Sequence, residues 1–175
     1  MRRLLLLRHA KSSWDNGDLD DISRPLAPRG RRAAPLIGRH ISAKGFVPDL
    51  VLCSTAERAR QTLELVAAEW ERGEAGRAKV EMHSSLYLAS LRDLLAAIKR
   101  LNDDIESAMI IGHNPGVAVF AGRLAANGDP KAMKTLAAKY PTAALAVIDV
   151  DVDSWKEMAL GTGSLKAFVR PKDLK

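Results

Sequence analysis

The 175-residue chain has a single cysteine, Cys53. One thiol cannot close an internal disulfide, so a reducing cytoplasm is the expected compartment. Aromatic residues are almost as scarce, with three Trp, two Tyr and three Phe. None is interleaved with cations as a base-stacking platform requires. Long apolar runs are missing too, and nothing approaches the roughly 18 residues of a membrane helix. The opening MRRLLLL has the look of a secretory leader, but its leucine run stops after four residues at Arg8. A leader needs about seven or more, so none is expected. There is no cysteine cluster and no HExxH spacing, so no metal centre and no cofactor is expected. No cationic run exceeds Arg31-Arg32. The net charge of +6, from 27 Lys and Arg against 21 Asp and Glu, is therefore spread along the chain and does not mark a nucleic-acid site.

What remains is an ordinary globular composition, 47% apolar and 27% charged. The length suits one well-buried core, so residues 1–175 are expected to form a single domain. Apolar runs alternate with helical patterns. Strands are expected at residues 4–11, 49–54, 79–83 and 108–112. Helices are expected from about Pro28 to Ser42, over TAERARQTLELVAAEW, after Ser90, and after Asn114-Pro115. In the last of these, Asn114 should be the N-cap and Pro115 the first helical residue. Leu36, Ile37 and Ile41 should share one face of the first helix, and Pro35 should bend it or delay its start. A weaker helix at 131–138 precedes an expected strand pair at 143–150 and 155–160, with a short last strand at 165–169. This alternation predicts an α/β fold: a three-layer α/β/α sandwich around a largely parallel sheet.

Two of those strands end in histidine. LLLL runs into Arg8-His9, and MIIG runs into His113. The second strand passes through Ser54 into a helix whose early residues include Arg58. Parallel strands would bring all of these to the carboxyl edge of the sheet, where open α/β sheets bind ligands. Guanidinium forks match phosphate geometry, and imidazole is a potential nucleophile. The assembled set predicts a phosphate pocket in which a histidine carries the phosphoryl group.

In these stretches the chain resembles the histidine phosphatase superfamily, the branch that includes phosphoglycerate mutases, and in particular its SixA-type phosphohistidine phosphatases. The resembling pieces are LLLLRHAKS at 4–12, SRPLAPRG at 23–30, LVLCSTAERARQT at 50–62, LYLAS at 86–90 and IIGHNPG at 110–116. The resemblance implies a phosphoglycerate mutase-like fold and a metal-independent phosphatase. It implies His9 as the residue that takes the phosphoryl group, Arg8 and Arg58 as grips on its oxygens, and His113 as a further donor. Arg24 would contact phosphate or substrate at the pocket mouth, with Asp21 orienting it. The implied partner is a phosphorylated protein, such as a phosphohistidine domain, or a small phosphorylated molecule. An idle phosphate-binding module is the alternative from a different class.

Two departures matter. The family's RHG is RHA here, and Ala10 fits only if its backbone avoids positive φ. The stretch HSSLYLAS lacks the Glu that mutases and many phosphoesterases of the superfamily use as general acid, with Ser85 aligned near its place. That absence argues against a mutase and for a substrate whose leaving group needs little help. The loop from Ser12 to Ser23 and the stretch from Ser84 to Ser90 are expected to set substrate choice. His40 and His83 lie outside these motifs and are expected to be structural or surface residues. Cys53 is expected to be core packing, and Arg60 to form ion pairs.

Overall fold

Four consecutive leucines can all be buried only if both faces of their strand are covered. In the computed structural model, which describes residues 1–174, β1 (Arg2–Arg8) does this. Leu4 and Leu6 enter one core, and Leu5 and Leu7 enter a second on the opposite face of the sheet. All four are fully buried, and each contributes about 1.5–3 kcal/mol before chain entropy is counted. Over the first face lie α4 (Leu91–Lys99), α5 (Gly116–Leu124) and α6 (Pro130–Ala138), through Leu94, Ile98, Phe120 and Leu136. Over the second lie α1 (Pro28–Ala43) and α2 (Glu57–Ala67), through Ile37, Ile41 and Val66. A single turn, α3 (Arg72–Ala75), follows α2.

The sheet has seven strands in the order β3-β2-β4-β1-β6-β7-β5. β1 is parallel to β4 (Ser107–Gly112), β4 to β2 (Leu50–Ser54), and β2 to β3 (Lys79–His83). β6 (Leu145–Val150) runs antiparallel to both β1 and β7 (Gly163–Val169), and β5 (Ala125–Gly128) is parallel to β7. Six of the seven strands therefore share a direction, and the sandwich is largely parallel as expected.

Four local readings need correction. α1 begins at Pro28 and continues unbroken through Pro35. The carbonyl that Pro35 leaves without a helical donor belongs to Arg31, an exposed residue where water can serve instead. α5 begins at Gly116, with Pro115 as its N-cap and a cis bond between Asn114 and Pro115. Asn114 instead donates its side-chain amide to the Tyr140 carbonyl at 2.9 Å. Residues 155–160 form no strand. Trp155–Glu157 is a 3₁₀ turn whose buried Trp155 indole donates to the Ile105 carbonyl, and the partner of β6 is β7. Finally, Leu36 is only half-buried, whereas Gly30, Ala34 and Gly38 complete the inward face of α1.

Candidate active site

The register between β1 and β4 builds the site. Arg8 lies opposite Gly112, and the His9 amide donates to the Gly112 carbonyl at 3.0 Å. The next residue on each strand is a histidine, and their rings lie 5.2 Å apart. β2 ends beside them at Ser54, and α2 starts three residues later, carrying Arg58 in its first turn. His9, His113, Arg24 and Arg58 are buried, and Arg8 is half-exposed. All five line one cleft of about 170 Å³, together with Lys11, Ser12, Trp14, Leu88, Asn114 and Thr142. The five candidates thus converge on one site, while His40 and His83 lie outside it. His83 pairs with Glu81 on exposed β3. Arg60 pairs with Glu57 and Glu64, and Cys53 is buried in the core, its thiol pushed up to about 12 by burial.

The hydrogen bonds settle much of the protonation. His9 Nδ1 lies 2.7 Å from the Ala10 carbonyl. A carbonyl only accepts, so Nδ1 carries the proton and Nε2 keeps its lone pair. Burial, against which the Ala10 contact works, lowers His9 to about 3, and the nearby His113, Arg58 and Arg8 lower it further. Its ring is neutral at physiological pH. His113 is lowered to about 4, first by burial and then by Arg58. Its Nε2 sits 2.8 Å from the Ser54 hydroxyl, and its Nδ1 lies 3.4 Å from an Arg58 nitrogen. A hydroxyl both donates and accepts. Ser54 can therefore hold His113 while Nδ1 faces Arg58 as an acceptor, or while Nδ1 presents a proton to an anion.

Asp21 ties the arginines together. Its carboxylate accepts from Arg24 and Arg58, each at 3.0 Å, and from the Tyr87 hydroxyl. The Tyr87 bond first, then the two arginines, hold Asp21 down at about 2. Arg24 also donates to the Ser13 carbonyl and the Ser12 hydroxyl, and it stacks on Trp14 at 3.2 Å from the ring centre. Arg8 donates to the Tyr140 carbonyl, and burial with Arg58 nearby lowers its pKa. Ala10 is buried, lies outside the positive-φ region, and donates its amide to Thr62 Oγ1 at 2.9 Å. Alanine is thus accommodated where the family has glycine.

Sequence reasoning missed several members. Ser85 lies exposed beside a different cleft, with Lys79 and Arg100. From its stretch Leu88, at φ 51°, lines the cleft, and the Tyr87 ring meets the His113 ring edge-on at 5.4 Å. Asp21 was expected to meet Arg24 only, and the contacts to Arg58 and Tyr87 are long-range pairings without a local signal. Among the described residues, no carboxylate lines the cleft itself. Among the described residues, no group of three or more His, Cys, Asp or Glu is placed to hold a metal ion. No helix among them is long and apolar enough to cross a membrane.

Residues 4–86 match the family model of the histidine phosphatase superfamily, branch 1. An uncharacterised protein of Mycobacterium leprae is 34% identical over 170 residues, spanning 95% of this chain and all of its own length. An uncharacterised chloroplastic protein of Arabidopsis thaliana is 32% identical over 89% of this chain and 70% of its own. Among solved structures, a candidate SixA phosphohistidine phosphatase from Nakamurella multipartitia superposes with a TM-score of 0.77 at 28% identity, covering 97% of this chain and 96% of that one. Its counterpart from Agrobacterium tumefaciens gives 0.77 at 26% identity, covering 97% and 98%. With two strand-end histidines and three arginines gathered on a phosphoglycerate mutase-like sheet, this chain belongs to the histidine phosphatase superfamily.

Proposed function

We propose that this phosphatase acts through a covalent phosphohistidine on His9 and that its preferred substrates are protein phosphohistidine or other phosphoramidates. The observation that carries the reading is the hydrogen bond from His9 Nδ1 to the Ala10 carbonyl. It leaves Nε2 unprotonated inside a cleft shared with Arg8, Arg24, Arg58 and His113. In the first step Nε2 attacks phosphorus, the P–Nε2 bond forms, and the bond to the leaving group breaks. The arginines balance the charge on the phosphoryl oxygens, and His113 donates a further hydrogen bond. In the second step water attacks phospho-His9, releasing inorganic phosphate and restoring the neutral ring.

Two features support the substrate preference. An alkoxide leaving group needs a proton from a general acid. Among the described residues no carboxylate lines the cleft, and Asp21, which holds two of its arginines, is ionised at neutral pH. Protonated phosphoimidazole, in contrast, departs as neutral imidazole unaided. The cleft is also smaller than the roughly 300–1,000 Å³ that usually encloses a small-molecule ligand. That suits a phosphoryl group whose carrier stays outside.

The test is kcat/KM across esters of graded leaving-group pKa, alongside a phosphohistidine peptide. The expected series is steep, with phosphohistidine and p-nitrophenyl phosphate turned over and glycerol phosphate poorer by orders of magnitude. A flat series would hand the site to a metabolite phosphomonoesterase. Acid-labile, base-stable ³²P label should appear on wild-type protein and vanish in His9→Ala; a His9→Ala enzyme of near wild-type rate would remove His9 as the nucleophile.

A further inference from the structure

A second cleft, of about 380 Å³, opens beside the catalytic one, and Lys11 and Thr142 line both. Its rim carries five cations: Lys11 after β1, Arg29 in α1, Lys139 after α6, and Arg170 and Lys172 after β7. Among the described residues, no Asp or Glu lines it. Arg170 is held by Asp173, but among the described residues Lys11, Arg29 and Lys139 have no carboxylate within ion-pairing distance. The floor between the cations is apolar, from Ala33, Pro141 and Pro171.

We infer that this basic cleft docks an acidic segment of the phosphoprotein whose phosphoryl group enters the neighbouring site. The inference rests on the phosphatase reading above and adds the partner's chemistry to it. Five like charges in one cleft, with Asp173 on Arg170 the one paired carboxylate among the described residues, repel one another, and a partner's carboxylates relieve that repulsion. The arrangement favours dispersed carboxylates over a compact polyphosphate. Where this molecule gathers charge for one phosphoryl group, it uses buried arginine forks converging from several elements. Here Arg29, Lys139 and Lys172 are exposed side chains ringing an apolar floor, as in a protein interface with a charged rim. Lys11 and Thr142 join the two clefts, so a chain bound in one leads directly into the other.

Two peptides would be compared that share a central phosphohistidine, one flanked by Asp and Glu and the other by Ser and Gln. Wild-type enzyme should favour the acidic peptide by about tenfold or more in kcat/KM, mainly through KM, and high salt should erase the advantage. Arg29→Glu/Lys139→Glu/Lys172→Glu should remove the preference while p-nitrophenyl phosphate turnover stays at the wild-type rate. The milder Lys139→Gln/Lys172→Gln pair should lose part of it. Fluorescence anisotropy with the unphosphorylated acidic peptide reads docking apart from chemistry. Binding by wild type and not by the triple variant supports the inference. If neither phosphopeptide nor ester is turned over while that binding difference persists, the phosphatase reading fails and the docking surface stands. Equal turnover of the two peptides without acidic-peptide binding overturns the docking surface and leaves the phosphatase. Tripolyphosphate displacing the acidic peptide at far lower concentration, by a route the triple variant abolishes, would also overturn it, in favour of a polyphosphate site.

Discussion

Arg58 shows why residue type matters more than charge in this cleft. One guanidinium reaches the Asp21 carbonyl at 2.7 Å, the Asp21 carboxylate at 3.0 Å and His113 Nδ1 at 3.4 Å. The fork spreads these contacts over two nitrogens held in one plane, whereas a lysine ammonium would have to make them all from a single point. Arg58→Lys should therefore lower kcat/KM for p-nitrophenyl phosphate by about 10²–10³, the usual cost of one charge-stabilising donor. Full activity in steady-state assays of that variant would show that fork geometry is irrelevant. Asp21 has a matching part at rest. Its carboxylate occupies Arg24 and Arg58 together, so two guanidiniums remain oriented where they would otherwise repel.

At the scale of elements, close approach decides where α1 can lie. A Cβ on Gly30 would sit 2.2 Å from the Lys11 carbonyl oxygen, whereas one on Gly17 would meet nothing within 4 Å. The segment just beyond His9 thus packs directly on the first turn of α1. Gly30→Ala should lower stability by about 1–3 kcal/mol, as overpacking does, and Gly17→Ala in the exposed loop should be near neutral. Thermal melts of the two variants would decide; equal Tm values would mean the contact relaxes without cost. The same scale shows what the sequence disclosed. β1, β2 and β4 were legible because their apolar runs stop abruptly at charged or polar residues, and those stops deliver His9, Ser54 and His113. β5, with the sequence AANG, has no alternation to detect and exists through its pairing with β7. Trp155 suggested a strand because it is apolar, but it is buried in the first core, where its 3₁₀ turn packs on α4 and its indole donates to the Ile105 carbonyl. Leu88, Tyr87 and Tyr140 reach the site region through turns and long-range bonds, which no local pattern encodes.

For the whole molecule, the buried histidines couple folding to pH. His9 and His113 are lowered from 6.5 to about 3 and about 4. Between those values and 6.5, the unfolded chain binds protons that the folded chain does not. Stability therefore rises with pH through this window, is complete above about 6.5, and is lost as pH falls toward 3. Asp21 acts lower down: its contribution is present above 3.8 and is lost as pH falls through about 2. Wild-type Tm should fall between pH 6.5 and pH 4, and His9→Gln/His113→Gln should fall less steeply. An NMR titration should find both rings neutral at pH 6. An imidazolium signal from His9 at that pH would contradict the sign of the coupling.

Phosphate can sit on either nitrogen of an imidazole, and the two products are different compounds. In the mechanism proposed above, the contact between His9 Nδ1 and the Ala10 carbonyl chooses between them before any substrate arrives, because only Nε2 offers a lone pair. The trapped protein should react with an antibody selective for Nε2-phosphohistidine and not with one selective for the Nδ1 isomer. Staining by the latter would mean that the ring turns over before it reacts. A backbone carbonyl does not titrate, so this regiochemistry should hold at every pH at which the chain stays folded.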